Sequence, residues 1–132
     1  NFKTMYDPCP AGYRVPNGGE NGFWATALGA IESVGYGNSN LGNSKWINWD
    51  STNNGLLWIL CDEESTAWYP AVNYLYEYSG TLYHLNNSNS FLWTSTYIAS
   101  HQARTPMFNS GYVQPLQYNY KARGISVRCV KE

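Results

Sequence analysis

Charged residues are scarce in this chain of 132 residues: Asp, Glu, Lys and Arg make up 13% of it, and the net charge is −1. Globular proteins usually carry about twice that charged fraction. Because so small a net charge exerts no long-range attraction on nucleic acid or anionic lipid, no nucleic-acid partner is expected. The sequence also lacks a run of about eighteen apolar residues, so this domain is not expected to insert into a membrane.

Histidine and cysteine are also few, which limits catalytic chemistry. The histidines are His84 and His101, and the cysteines are Cys9, Cys61 and Cys129. Cys61 as a nucleophile needs a fixed base nearby, and both histidines lie in the half of the chain that is rich in Tyr and Asn. The acidic run 62–64 follows an apolar stretch and is typical of a solvated strand end. No enzyme activity and no cofactor are expected.

One segment is similar to the start of a calcium-binding loop. Residues 50–55 read Asp-Ser-Thr-Asn-Asn-Gly. The last position of such a loop holds Cys61 here, where calcium loops have a bidentate Glu. No metal site is therefore expected.

Local patterns predict one helix and two longer strands. Apolar spacing predicts a helix over 23–31, and the continuous apolar run 55–61 predicts a strand buried on both faces at the centre of a sheet. Period-two alternation predicts a half-buried strand over 125–131, whereas the Gly, Asn and Ser content of 35–54 predicts a long irregular segment. The predicted buried face of the helix consists of Phe23, Ala27, Ala30 and Ile31.

The six tryptophans fall outside the loops that carry most of the tyrosines. Indole rings in such segments are more often core residues or loop anchors than stacking platforms for sugars. Most are therefore expected in the scaffold: Trp24, Trp46, Trp49, Trp58, Trp68 and Trp93.

Tyrosine is concentrated in the second half, where nine of the twelve lie between Tyr69 and Tyr120, interspersed with Asn and Ser. Tyr gives a large contact area at low rotamer cost, and Asn and Ser add adaptable hydrogen bonds, as in antibody paratopes. The alternative is cross-strand packing in an aromatic-rich sheet, with Tyr69, Tyr74 and Tyr83 as the expected core members. The predicted ligand-binding residues are Asn73, Tyr76, Tyr78, His84, Asn86, Asn87, Tyr97, His101, Arg104, Tyr112, Tyr118 and Tyr120.

Two motifs at opposite ends of the chain are similar to those of a known family. Residues 6–16 read Tyr-Asp-Pro-Cys-Pro-Ala-Gly-Tyr-Arg-Val-Pro, and residues 124–132 read Gly-Ile-Ser-Val-Arg-Cys-Val-Lys-Glu. With the central segments 68–71, 79–82 and 92–96, they resemble the Fibrobacter succinogenes major paralogous domain family. That family occurs in surface lipoproteins and pilus-tip proteins of gut Bacteroidota.

The resemblance implies an α+β, C-type-lectin-like fold for a single domain over 1–132. It implies one or two helices, a mostly antiparallel twisted sheet, long ordered loops, and pairing of the N- and C-terminal strands. Such pairing favours a disulfide between Cys9 and Cys129 in an oxidising compartment, and the alternative is three reduced, buried thiols. Some relatives are diversified by retroelements that mutate adenines, and the residue types of the second half fit such variation.

The expected function is non-catalytic ligand binding outside the cell, on the outer membrane or at a pilus tip. Residues 1–5 lack the features of a signal peptide, so this domain is expected to be the C-terminal domain of a longer surface protein. It is expected to be a monomer in isolation that binds a protein or glycan on a host or bacterial cell. One alternative is a structural pilus or fibre subunit or cap whose aromatic face packs on its neighbours; another is a calcium-dependent sugar-binding lectin.

Overall fold

The computed structural model describes residues 7–28, 39–40, 47–59, 64–83 and 89–132. Within these ranges the chain forms a short helix, α1 (Phe23–Leu28), and fourteen short strands. The strands are β1 (Tyr13–Arg14), β2 (Ser39–Asn40), β3 (Ile47–Asp50), β4 (Gly55–Ile59), β5 (Thr66–Pro70), β6 (Tyr74–Leu75), β7 (Leu82–Tyr83), β8 (Ser90–Phe91), β9 (Tyr97–Ala99), β10 (Gln102–Arg104), β11 (Met107–Phe108), β12 (Tyr112–Gln114), β13 (Tyr118–Tyr120) and β14 (Val130–Lys131).

The strands of the described ranges pair into five small antiparallel sheets. Strand β1 pairs with β14 and β6 pairs with β7, while the larger sheets have the orders β3-β4-β5, β13-β10-β9 and β2-β12-β11-β8. No helix in the described part of the chain is long and apolar enough to cross a membrane.

The balance of strand and helix contradicts the predicted fold class. The structure is 41% strand and 4% helix, and no helix in the described ranges has seven or more residues. The expectation of an α+β, C-type-lectin-like fold with one or two helices is therefore wrong, and the fold is mostly β with several small sheets. The physical reason is that Gly, Asn, Ser and Pro residues, which favour turns, interrupt the chain so often that most strands end after two or three residues.

Helix α1 starts where the sequence predicts but buries a different face. Phe23 is 44% exposed, whereas Trp24 and Ala25 are buried at 3% and 1%. The larger ring of Trp24 occupies the core instead, with its centroid 5.4 Å from that of Trp58. The prediction of a buried Phe23 is therefore wrong. Of the other predicted face residues, Ala30, Ile31 and the side chain of Ala27 lie outside the described part.

Strand β4 confirms the predicted central strand over residues 55–59. It pairs with β3 on one side and with β5 on the other. Leu56 and Trp58 share one face and are 1% and 8% exposed, whereas Leu57 and Ile59 on the other face are half-buried. The central position is therefore confirmed, but full burial on both faces is not. Residues 60 and 61, the end of the predicted strand, lie outside the described ranges.

Strand β3 corrects the prediction that 35–54 is irregular throughout. Residues 47–50 form a regular antiparallel ladder with β4, because the apolar β4 offers a complete set of backbone partners. The loop that follows holds Asn54 at a φ of 59°, a left-handed conformation that Asn tolerates better than most residues.

The predicted strand over 125–131 is confirmed only at its end, as β14. Ile125 is buried, but Val127 is 37% exposed, which breaks the expected alternation. The backbone carbonyl of Ser126 instead accepts a hydrogen bond from the amide of Trp93 at 2.8 Å. This segment therefore crosses toward residues 92–93 before it reaches β1.

The two ends of the chain are joined as the resemblance implies. Tyr13 pairs with Lys131 in the β1–β14 ladder. A disulfide connects Cys9 and Cys129, whose Cα atoms are 5.7 Å apart. The predicted strand pairing and the predicted disulfide are confirmed, and Cys61 lies outside the described residues.

Aromatic rings dominate two core clusters. One contains Trp24, Leu56, Trp58, Tyr69, Leu92, Phe108 and Val113, and the other contains Tyr74, Phe91, Met107 and Ile125. Tyr69 and Tyr74 are thus core members as predicted, and the side chain of Tyr83 is not described. Among the other tryptophans, Trp49 and Trp93 are partly buried against these clusters, Trp68 is half-buried, and Trp46 lies outside the described part.

Candidate functional site

The β9–β10–β13 sheet carries five of the predicted ligand-binding residues on or beside its strands. Its two sides differ because side chains alternate along each strand. Ala103 pairs with Asn119, and both are 7% exposed, so they mark the inner side. The side-chain amide of Asn119 donates to the hydroxyl of Thr105 at 2.8 Å, and this buried hydrogen bond fixes β13 to the chain that follows β10.

The outer side of this sheet is the tyrosine face, defined by Gln102, Arg104, Tyr118 and Tyr120. Gln102 pairs with Tyr120 and Arg104 pairs with Tyr118, so the four side chains point the same way. Tyr118 and Tyr120 are 41% and 42% exposed. The His101 ring stacks on that of Tyr120, with centroids 5.8 Å apart. A phenol, an imidazole, an amide and a guanidinium therefore lie side by side on short, paired strands.

Arg104 is held in place by its own hydrogen bonds. Its guanidinium donates to the carbonyl of Leu116, and its backbone amide donates to the carbonyl of Thr96 at 2.8 Å. Its carbonyl accepts a hydrogen bond from the Thr94 hydroxyl at 2.7 Å. The guanidinium is consequently presented at a fixed position on the tyrosine face.

Tyr97 lies on the opposite side of the same sheet. It pairs with Ala103 across a register shift between Gln102 and Ala103, so it shares the inner side rather than the tyrosine face. It is nevertheless 73% exposed, because β9 is an edge strand. The ammonium of Lys121 lies 5.4 Å from the centre of its ring.

Tyr97 and Lys121 form the rim of a shallow, open cleft of about 370 Å³. The cleft, here called the lysine cleft, is lined by residues 93–97, Ala103 and Lys121. The sheet therefore separates the predicted residues into a tyrosine face on one side and a cleft on the other.

A second group of predicted residues lies on the β6–β7 hairpin. Its loop is closed by two backbone hydrogen bonds between Tyr76 and residues 80–81, both of 2.9 Å, with Gly80 at a φ of 64°. Tyr78 is 81% exposed, and its ring lies 5.3 Å from that of Tyr76. Asn73, just before β6, is half-buried. His84, Asn86 and Asn87 lie outside the described residues.

Arg123 joins this hairpin to the tyrosine face. Its Nε and Nη2 atoms donate to the two carboxylate oxygens of Glu77 at 2.7 and 3.2 Å. The guanidinium lies 4.7 Å from the ring centre of Tyr74 and 5.7 Å from that of Tyr120, and Nη1 donates to the side chain of Asn119. The Glu77–Arg123 pair is a bidentate ion pair that connects two separate sheets.

This ion pair changes the pKa values of both partners. The hydrogen bond from Arg123 lowers the pKa of Glu77 below its usual range, although burial acts in the other direction. Burial alone lowers the pKa of Arg123, but the hydrogen bond that Arg123 donates to Glu77 and the nearby charges outweigh burial and raise that pKa. Both groups are therefore charged near neutral pH.

Two predicted ligand-binding tyrosines are partly committed to packing. Tyr76 and Tyr112 are half-buried and lie against the core cluster around Tyr74 and Phe91. The backbone amide of Tyr112 also donates to the Asn109 side chain at 3.0 Å, within the turn between β11 and β12. Cross-strand packing thus accounts for part of the surface of these two residues.

The segment similar to a calcium loop forms a hairpin turn. The Asp50 carboxylate accepts a hydrogen bond from the backbone amide of Thr52 at 2.8 Å. It also accepts hydrogen bonds from the backbone amide and the side-chain amide of Asn53 at 3.1 and 2.7 Å. The side-chain hydrogen bond from Asn53 lowers the pKa of Asp50. Within the described ranges, no group of three or more His, Cys, Asp or Glu residues could hold a metal ion.

Sequence reasoning missed Glu77, Lys121 and Arg123. A signal was present, because Lys121 and Arg123 directly follow the Tyr-Asn-Tyr of β13, and Glu77 lies between two tyrosines. Five of the eight basic residues lie between residues 89 and 132, where Glu132 is the only acidic one. This local excess of positive charge is hidden in the net charge of the whole chain.

Comparisons with models of protein families, with curated proteins and with solved structures gave no significant match. A functional proposal for this chain therefore depends on its own residues and their geometry.

Proposed function

We propose that this chain is a non-catalytic binding domain displayed outside the cell, and that its tyrosine face and β6–β7 hairpin contact a protein or glycan on another cell. The observation that carries this proposal is the division of the tyrosines by exposure. Tyr69 and Tyr74 are buried at 8% and 7%, whereas Tyr78, Tyr118 and Tyr120 are between 41% and 81% exposed.

Exposed tyrosines on paired strands suit recognition for an energetic reason. A Tyr side chain has few rotatable bonds, so little conformational entropy is lost when a partner covers it. Tyr and Arg are also the residue types that contribute most at protein interfaces. The ion pair of Arg123 with Glu77 holds the hairpin and the tyrosine face together before binding, which lowers the cost of ordering the surface.

Two further observations support a location outside the cell. The Cys9–Cys129 disulfide is a type of bond that persists in oxidising compartments. The end segments 6–16 and 124–132 resemble those of the Fibrobacter succinogenes major paralogous domain family. This resemblance supports the proposal that the chain is part of an outer-membrane lipoprotein or a pilus-tip protein.

We extend the proposal to retroelement diversification of the exposed second-half positions. Sequencing the encoding locus for a reverse transcriptase and an adenine-mutated repeat tests that extension.

Binding to an array of glycans and cell-surface proteins tests the proposed function. We expect the Tyr118→Ala, Tyr120→Ala double variant to lose about tenfold or more in affinity for any protein or uncharged glycan that the wild type binds. Tyr13→Ala is the matched control, because Tyr13 is 42% exposed but lies in the terminal β1–β14 sheet. Unchanged affinity in the folded double variant, or loss of its native circular dichroism spectrum, contradicts the proposal.

The edge position of β9 favours a second candidate, a structural subunit of a pilus or fibre. This strand is the outer strand of its sheet and exposes Ile98 at 42%, so its backbone could pair with a neighbouring chain. Light scattering after size-exclusion chromatography separates the two candidates. A binding domain remains a monomer at high concentration, whereas a fibre subunit associates with itself or requires a donated strand.

A further inference from the structure

Lys121 is an exposed cation without a carboxylate partner among the described residues. Its ammonium donates to the carbonyl of Ser100 at 3.2 Å and lies near the ring of Tyr97. An ammonium has three hydrogen atoms to donate, so one carbonyl leaves donors for a ligand. The only acidic residue between 89 and 132 is Glu132, whose backbone amide bonds to Gly12 in the terminal sheet.

The hydroxyl groups that line the cleft already donate their own protons inward. Thr94 donates to the carbonyl of Arg104 at 2.7 Å, and Ser95 donates to the side chain of Asn17 at 3.1 Å. Thr96 donates to the carbonyl of Gly18 at 3.2 Å. Thr94 is only 7% exposed and its oxygen also accepts the amide of Thr96 at 3.4 Å, so the accessible acceptors are the hydroxyl oxygens of Ser95 and Thr96. Thr96 accepts the amide of Gly18 at 3.0 Å, and a hydroxyl oxygen has a second lone pair for a hydroxyl group of a ligand.

Aromatic rings at the rim are the third type of contact that the cleft offers, beside the ammonium and the hydroxyl oxygens. The ring of Tyr97 is 73% exposed, and the indole of Trp93 lines the cleft while it packs on the core cluster of Tyr74 and Phe91. A flat ring, fixed hydroxyl oxygens and an ammonium with further hydrogen atoms to donate match the C–H face, the hydroxyl groups and the carboxylate of an acidic sugar. A volume of about 370 Å³ is at the lower end for ligand sites and suits one or two sugar rings.

We propose that the lysine cleft binds a carboxylate-bearing saccharide, such as a sialic or uronic acid unit. The Lys121 ammonium pairs with the carboxylate, and the Tyr97 ring packs against the sugar ring. An acidic peptide fits less well, because the cleft is open and offers no enclosed apolar pocket to anchor a side chain. This site does not depend on the tyrosine face, since it lies on the other side of the sheet.

Titration of the folded domain with 3′-sialyllactose, with lactose and with a trimer of galacturonic acid tests this inference. We expect both acidic sugars to bind about tenfold or more tightly than lactose, and their affinity to fall with salt. Lys121→Gln removes this preference, whereas Lys131→Gln, with the same charge change on β14, retains it. Tyr97→Ala weakens binding of both acidic sugars, while Tyr13→Ala, which changes an exposed tyrosine of the terminal β1–β14 sheet, leaves it within about twofold.

Several results would overturn the inference. Equal affinity for 3′-sialyllactose and lactose, or an equal response of Lys121→Gln and Lys131→Gln, removes the role of the ammonium. Binding of hexaglutamate without binding of either acidic sugar assigns the cleft to acidic peptides. Loss of sugar binding in Tyr118→Ala moves the sugar to the tyrosine face. Of these results, only the one with Tyr118→Ala concerns the tyrosine face, and it supports the proposed function while it overturns this inference. The two proposals therefore fail separately.

Discussion

Arg123 shows how one side chain can determine the shape of a binding surface. It bonds to Glu77 on the β6–β7 hairpin and lies beside Tyr120 on the tyrosine face. The pair is largely sheltered, with side-chain exposures of 18% and 7%. Removing one member of such a pair leaves the other without its charge partner, which costs more than the pair contributes when intact.

Loss of the Arg123 guanidinium should therefore weaken both stability and binding. We expect Arg123→Met to lower the free energy of unfolding by about 1 to 3 kcal/mol. Urea denaturation at pH 7 measures this, with Lys131→Met as an exposed control that should change stability by less than about 0.5 kcal/mol. Equal stability of Arg123→Met and wild type would show that the ion pair does not hold the hairpin in place.

The lowered pKa of Glu77 predicts a pH dependence with a definite sign. A carboxyl whose pKa is lower in the folded state stabilises the protein above its unfolded pKa, and this contribution is lost as the pH falls through the folded value. Wild-type protein should therefore lose stability between about pH 5 and pH 3. Glu77→Gln should show a smaller loss over the same range in parallel urea titrations. Identical slopes for the two proteins would contradict the assigned role of Glu77.

At the scale of elements, the sequence predicts long strands well and short strands poorly. The apolar run that includes Leu56 and Trp58 predicts the central strand β4 correctly, because a strand with one buried and one half-buried face has apolar residues at every position. Strands of two or three residues leave no periodic signal, so the five small sheets could not be predicted. The register shift beside Ala103 places Tyr97 on the opposite side from Tyr118, and no pattern in the sequence marks such a shift.

Gly55 provides a test of the central sheet. A Cβ atom at this position would lie 2.5 Å from the ring of Trp68 and 2.7 Å from the carbonyl oxygen of Tyr69. Because neither atom moves easily, Gly55→Ala should lower the free energy of unfolding by about 1 to 3 kcal/mol. Gly111→Ala is the matched control, since its Cβ would meet only the Asn109 side chain at 3.5 Å. Similar stability of the two variants in thermal denaturation would contradict the observed packing of β4 on β5.

At the scale of the whole molecule, the chain closes on itself. The Cys9–Cys129 disulfide spans 120 residues and lies next to the β1–β14 ladder. The two end motifs predict this closure correctly, but the same resemblance gives the wrong fold class, because motifs at the ends do not determine how the chain between them pairs.

Removing the disulfide should destabilise the domain strongly. For a loop of this length, the Cys9→Ser, Cys129→Ser variant is expected to lose about 3 to 5 kcal/mol in free energy of unfolding. Urea denaturation with and without reductant measures this. The reductant should bring wild type to the stability of the variant and leave the variant unchanged. If wild-type protein with a fully reduced disulfide were as stable as the oxidised protein, this expectation would be contradicted.

Hydroxyl-radical footprinting of the tyrosines, with and without a partner found on the array, tests the central claim most directly. In the free protein, Tyr78, Tyr118 and Tyr120 should be oxidised readily, and Tyr69 and Tyr74 should be protected, as their exposures require. Addition of the partner should protect Tyr118 and Tyr120 and leave Tyr13 unchanged. Protection confined to Tyr13 and the terminal sheet, with the tyrosine face as reactive as before, would contradict the account.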